Sequence, residues 1–478
     1  MCRCGLLDCL TRRQWRSARQ DFGWVVRVTD GLRCDLVGRV KTLLRLGLNS
    51  SIGQNVLSLY GLQFANYILP LVTVPYLVRV LGPEKFGAVA FGQSLIAYFV
   101  LVVNYGFDWS ATRKISVQRD DLGAVSQTAT SVWAAKALLC GAGFLVLVGL
   151  VQMVPRFREV GTLLFVLYGV VIGNVLFPIW LFQGLERMVA ISVINFVARL
   201  LATVGVFALV RRPADFIIYA GLLSFQWLGA GVIGVWLAYR TLKISFVLPS
   251  WTEVWQTLAE GWTIFLSKGA VGLYTAGNAF ILGLLTNNAV VGYYSAAEKL
   301  AKAVQGLLAP FSQAVYPRFS KMATESKVDA LKWGRRMLFL MSGIGLVLSI
   351  GLFTGAPIIV RVMLGSDYGP SVSVVRILAF LPLIIGASNV LGVQIMLPFG
   401  RDKAFTSILV GAGLINVVLA FLLIPFWQQN GMAAAVLTTE VFVTMAMLAY
   451  LMVNDLSPLG EMSLWHRFLR SNISHGED

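Results

Sequence analysis

The stretch VAISVINFVARLLATVGVFALV, residues 189–210, carries a single charge, Arg199, and its apolar residues show no two-residue alternation. A continuous apolar run of about 20 residues matches the hydrocarbon thickness of a bilayer when coiled as a helix. A strand of a membrane barrel would instead alternate apolar and polar residues over about ten positions.

Eleven further stretches read the same way, at about 53–79, 86–107, 131–152, 160–183, 214–239, 261–285, 289–316, 337–364, 373–397, 404–427 and 431–453. The chain of 478 residues is 57% hydrophobic and only 13% charged, about half the charge of an ordinary soluble domain. The expected fold class is therefore all-α: a polytopic membrane protein of about 12 transmembrane helices. With lipid on all sides, each helix satisfies its own backbone hydrogen bonds.

The formal charge of +16 sets orientation. Nucleic-acid binding is not expected, because a chain this apolar lacks the basic polar surface that such binding uses. Loops on the N-terminal side carry 16 Lys and Arg beyond residue 50, against 8 on the other side, and the tail from Arg3 to Arg45 adds ten more. The positive-inside rule then places both termini in the cytoplasm. No outer loop is long enough for a catalytic domain.

Residues 1–48 are a separate basic segment holding Cys2, Cys4, Cys9 and Cys34. Their spacing lacks the paired C-x-x-C of a structural zinc site. The segment reads as a cytoplasmic extension or as a start assigned upstream of the true one. Cys140 reads as a packing residue in the third span.

The two halves of the chain resemble each other. A shift of 205 residues lays FGAVAFGQSL (86–95) over VGYYSAAEKL (291–300) and matches Gly87 with Gly292. The same shift superimposes spans one and two on spans seven and eight. Six spans per repeat is even, so two parallel six-helix halves, 49–240 and 261–453, are expected around a central cavity, joined by a linker at 241–260. Residues 454–478 are left as a cytoplasmic tail. The shift also pairs Gln63 with Lys268, Gln93 with Glu298 and Ser94 with Lys299, so charge gathers in the second half.

Lys136, Arg199, Lys268, Lys299 and Lys302 fall within expected spans, where a charge costs a few kcal/mol and marks a cavity or a partner. Lys136 lies near a span end and can snorkel. Lys299 and Lys302 share a helix face, and Glu298 and Lys302, four apart, can pair. A cationic interior suits an anionic cargo such as a phosphate or pyrophosphate. Embedded Glu298 and Glu440 are candidate ion-coupling groups, since a buried carboxylate can take up and release protons.

Neither a phosphate-binding G-x-x-x-x-G-K-[ST] loop nor metal spacing occurs, and both histidines, His466 and His475, lie in the C-terminal tail. No catalytic constellation stands out, so the chain reads as a transporter without a cofactor or metal, driven by a gradient.

Five stretches then carry a resemblance: PLVTVPYLVRVLGPEKFGAVAFGQSL (70–95), NYGFDWSATRKIS (104–116), PIWLFQGLERM (178–188), YPRFSK (316–321) and RILAFLPLIIGASNVLGVQIMLPFGRDKAF (376–405). Together they resemble the Wzx-type O-antigen flippases of the multidrug/oligosaccharidyl-lipid/polysaccharide exporter superfamily. The resemblance runs from about residue 50 to residue 453, and the segment 1–48 departs from it.

It implies a bacterial inner-membrane protein that moves undecaprenyl-pyrophosphate-linked oligosaccharide to the periplasmic leaflet by alternating access. Coupling to H+ or Na+ is implied, alongside other membrane proteins of polysaccharide assembly. Within the motifs, Asp108, Arg113, Gln183, Glu186 and Arg187 read as gate or loop-anchoring groups at the membrane edge. A drug/cation antiporter would instead call for an acidic cavity. A membrane polymerase or acyltransferase would call for a large outer loop or an embedded acid or histidine set.

Overall fold

The computed structural model describes residues 51–459; within them the side chains of 51–68 and of several positions in 70–71, 263–276 and 309–314 lie outside the description. Lys268 and Gln63 fall among these, as do the extension 1–48 and the tail bearing His466 and His475. The chain divides into two units at Ala65. The described part of the first is helical from Ser51, and the contacts and cavities described belong to the second.

The fold is all-α, with no strand among the described residues. Besides the single α-helical turn Pro155–Arg158, the α-helices are α1 (Ser51–Asn104), α2 (Phe107–Gln118), α3 (Leu122–Met153), α4 (Gly161–Leu167), α5 (Gly169–Leu176), α6 (Ile179–Gly184), α7 (Met188–Leu209), α8 (Phe216–Arg240), α9 (Trp251–Leu285), α10 (Asn288–Gln305), α11 (Ala309–Glu325), α12 (Lys327–Met363), α13 (Ser371–Leu378), α14 (Leu381–Asn389) and α15 (Asp402–Val453). A π-helical turn, Val390–Met396, extends α14.

Eight helical stretches among the described residues are long and apolar enough to cross a membrane. The long α15 is two of the expected spans, since Gln428 breaks it at φ 47°. Its arms meet where Asn416 Nδ2 reaches Thr439 Oγ1 at 3.4 Å. α10, which carries Glu298, Lys299 and Lys302 within its 18 residues, is not among the eight. The expected fourth span is not one helix: it is α4, α5 and α6 in succession.

The sequence repeat reappears in the helix ends. Gly82, at φ 69°, breaks α1, and Pro83 starts the next arm without needing an N–H. Asn287, the repeat partner of Gly82, caps α10 by accepting from Val290 N at 3.0 Å. Asp121 caps α3 through the N–H groups of Gly123 and Ala124. Its own repeat partner, Ser326, caps α12 through Asp329 N.

The halves cross on a symmetric contact. A side chain on Gly87 would collide with the carbonyl oxygen of Asn288, and one on Gly292 with that of Pro83. Gly87 and Gly292 are repeat partners, and so are Pro83 and Asn288. The two contacts map onto each other under the 205-residue shift. Apolar burial gives no advantage between helices already in lipid, so close approach over small residues carries the association.

Arginines add polar ties at this end. Arg156 donates from Nε to Gly283 O at 3.0 Å and from Nη2 to Asn288 Oδ1 at 2.8 Å. Arg79 donates to Val362 O. Gly283 O is a helix-terminal carbonyl, which favours a cation.

Residues 241–260 comprise an irregular stretch to Ser250 and the first turns of α9. A capping box starts α9, with Ser250 Oγ accepting from Glu253 N and Glu253 from Ser250 N. The Ser250 N–H and the Gln127 amide hold the Glu253 carboxyl below its ordinary range. Lys114 pairs with Glu260 at 3.2 Å, so α9 is tied to α2 before its membrane segment begins.

Candidate functional site

Beside the symmetric crossing lies a cavity of about 490 Å³. Its wall is built from α1 (Thr73 to Leu77), α7, α8 and α10, with Met363 of α12. Most of the lining is apolar, including Val206, Leu222, Trp227 and Leu300. Three cations enter it: Arg199, Lys299 and Lys302. They come from two helices, one in each half. Grouped cations in an apolar chamber are chemistry suited to an anion attached to an apolar body.

The cations differ in their surroundings. The Lys299 ammonium sits 4.8 Å from the centre of the Phe86 ring, a cation–π contact across the halves. Lys302 pairs with Glu298 at 3.0 Å, and its side chain stays 57% exposed against 19% for Glu298.

A second cavity, about 150 Å³, lies within the second half. Asn278 of α9, Tyr294, Glu298 and Lys302 of α10, and Asn416, Thr439 and Glu440 of α15 line it. Tyr294 donates to Glu298 Oε1 at 3.3 Å. Both candidate coupling carboxylates therefore line one small cavity.

Lys136 lies elsewhere. It is fully buried in the first half, donating to Asn174 O at 2.8 Å. In a regular helix that carbonyl would accept from residue 178, which is Pro178 and has no N–H. Lys136 thus satisfies a carbonyl that the proline orphans, as a buried charge requires. The charge of Asp108 also acts on it. Asp108 itself lines a separate cavity of about 210 Å³ with Asn104, Gly106 and Phe265.

The edge residues are spread out. Glu186 takes φ 58° in the turn after α6 and pairs with Arg119 at 3.3 Å. Arg113 and Arg187 are exposed. Gln183 is half-buried in α6. None of these five lines the 490 Å³ cavity.

Sequence reasoning does not single out Asn278, Tyr294, Asn416 or Thr439. A polar amide inside an apolar run, as in Asn278 and Asn416, is the signal that marks them. By sequence Arg156 counts only as a loop charge.

The chain is similar to known proteins along most of its length. A family model described as polysaccharide biosynthesis protein matches residues 52–323. An Escherichia coli (strain K12) protein assigned as an O-antigen transporter is 35% identical over 406 residues, covering 85% of this chain and 98% of that one. A Shigella dysenteriae protein with the same assignment is 29% identical over 405 residues, covering 83% and 98%.

Among solved structures, the lipid II flippase MurJ in an inward closed conformation superimposes with a TM-score of 0.68, at 13% identity over 82% of this chain and 87% of that one. An inward-facing MATE family transporter of the MOP superfamily gives 0.53, at 13% identity over 86% and 96%. At this identity the two structures speak for the fold alone. By the extent of the sequence match, the chain belongs to the polysaccharide biosynthesis protein family and is a multi-pass membrane transporter rather than an enzyme.

Proposed function

We propose that the chain carries an undecaprenyl-pyrophosphate-linked oligosaccharide, an O-antigen or similar repeat unit, from the cytoplasmic to the periplasmic leaflet of the bacterial inner membrane by alternating access. The observation that carries this is the meeting of Arg199, Lys299 and Lys302 on the wall of one largely apolar cavity. A pyrophosphate holds several anionic oxygens, and charge-assisted hydrogen bonds to Lys and Arg are the strong ones. The apolar wall beside them suits the lipid. The relatives assigned as O-antigen transporters support the same cargo.

Residues 49–240 and 261–453 act as the two moving halves, joined through 241–260. Loop charge puts the Gly87–Gly292 crossing at the periplasmic end and both termini in the cytoplasm. The crossing is then the outer gate, closed here, with Arg156 and Arg79 as its fasteners.

Glu298 and Glu440 couple the cycle to H+ or Na+ through the smaller cavity. Its carboxylates and amide oxygens can hold a cation. Membrane proteins that assemble the polymer receive the flipped unit; nucleic acid has no part. A drug/cation antiporter is disfavoured by the cations in the larger cavity.

Deleting the gene and locating its repeat-unit lipid tests the proposal. Accumulation in the cytoplasmic leaflet with loss of surface polymer is the expected result; undiminished export would refute it.

A further inference from the structure

Lys302 is the one cation among the described residues that lines both cavities. On the side of the smaller cavity its ammonium meets Glu298 at 3.0 Å. On the other side it stands one helical turn from Lys299, with Arg199 of α7 on the same wall. Its four-carbon stem lets the charge turn from one space to the other without moving the backbone. Exposure of 57% leaves room for that rotation.

The smaller cavity has acceptors in excess. Asn278 Oδ1 and Asn416 Oδ1 are buried without a hydrogen-bond partner among the described residues, and buried acceptors are ordinarily satisfied. Together with the carboxylates of Glu298 and Glu440 they present oxygen to a space whose lining offers one positive group, Lys302. The titratable and charged groups that line the two cavities with Lys302 are Tyr294, Glu298 and Lys299 on its own helix, Glu440 from α15, Arg199 from α7 and Tyr219 from α8.

We propose that Lys302 couples the two cavities by exchanging partners. While the smaller cavity holds no cation, the Lys302 ammonium neutralises Glu298. When a proton or metal cation takes that place, Lys302 turns into the larger cavity and joins Lys299 and Arg199 on an anionic headgroup. This rests on the pyrophosphate-lipid reading above.

The exchange keeps charge balanced at each step. A cation enters as an anion gains a partner, so each ligand raises the affinity for the other by the same factor. An ion pair that only steadied α10 would produce no such linkage.

The test uses the full chain in detergent, with inorganic pyrophosphate as the probe and calorimetry as the readout. Sodium is varied at fixed pH in one arm, and pH is varied in choline chloride in the other. Pyrophosphate affinity is expected to rise roughly 5- to 150-fold with the cation, the range of ordinary coupling between sites. A response in the sodium arm at constant ionic strength identifies a metal cation; one in the pH arm alone, lost in Lys302→Gln and so not the titration of pyrophosphate itself, identifies a proton.

Glu298→Gln should bind pyrophosphate tightly at every cation level, and Lys302→Gln weakly at every level. Lys302→Arg, which keeps the charge and controls for folding, should retain the linkage. Wild-type cation dependence surviving in Lys302→Gln would overturn the exchange, as would pyrophosphate binding in the wild type that ignores both arms. Failure of the wild type to bind pyrophosphate under any condition would refute the headgroup reading itself, and the exchange with it.

Discussion

The outer arm of α1, residues 83–104, and helix α10, residues 288–305, occupy matching places under the 205-residue shift. They are partners in the sequence repeat, cross at paired glycines and close against each other's first-turn carbonyls. Their chemistry differs. Gln93, Ser94 and Ala97 stand in the first where Glu298, Lys299 and Lys302 stand in the second. Ser94 turns inward and donates to Phe91 O at 2.7 Å, while its counterpart Lys299 reaches the Phe86 ring of the opposite half. Matching backbone contacts form the crossing, and the differing side chains form the proposed site. A cavity between two identical walls would double every charge, at a cost in desolvation that grows with each ion.

That division of labour can be broken experimentally. The largest effect is expected at the joint: Gly87→Leu or Gly292→Leu alone should abolish export, because a backbone carbonyl cannot yield to the new side chain. Both variants should expose a cysteine placed at the crossing to a membrane-impermeant thiol reagent. If one substitution is harmless and the other lethal, the reciprocal contact does not close the gate.

Next comes the asymmetric chemistry. Lys299→Gln should reduce repeat-unit export by roughly 10- to 100-fold at equal protein level, about the 1.5–3 kcal/mol of a hydrogen bond to a charged group. Ser94→Ala, at the matching position, should leave export unchanged. Equal defects in both would show that the helices contribute alike.

A smaller effect separates another pair of repeat partners. Arg156→Gln removes charged hydrogen bonds that cross the halves, and should raise thiol labelling at the crossing by about tenfold, corresponding to roughly 1.4 kcal/mol. Its repeat partner Arg361 is exposed, and Arg361→Gln should label at the wild-type rate. The smallest change is Ser250→Ala at the start of α9, which costs about 1 kcal/mol of cap energy. It should lower the melting temperature slightly and spare transport.

Much of this is legible in the residues themselves. The run at 189–210 can only be a membrane helix, and a single charge within it, Arg199, already demands a polar neighbour. The Gly87–Gly292 match announces the repeat, although so short an alignment says nothing of which atoms meet. Lys136 shows where such reading stops. Its charge looks like those of Lys299 and Lys302, but its partner is a carbonyl orphaned by Pro178, in another part of the first half. A proline's effect on a carbonyl four residues earlier is local; which lysine answers it depends on how two helices pack.

Membrane environment, helical class, two-fold plan and the set of embedded charges all follow from residue type and spacing along one chain. Three-dimensional packing alone brings Arg199, Lys299 and Lys302 to one cavity, Glu298 and Glu440 to another, and Lys302 to both. Those are distances between helices far apart in the sequence, fixed by how closely glycines let backbones approach and by where a break such as Pro178 or Gln428 turns the chain.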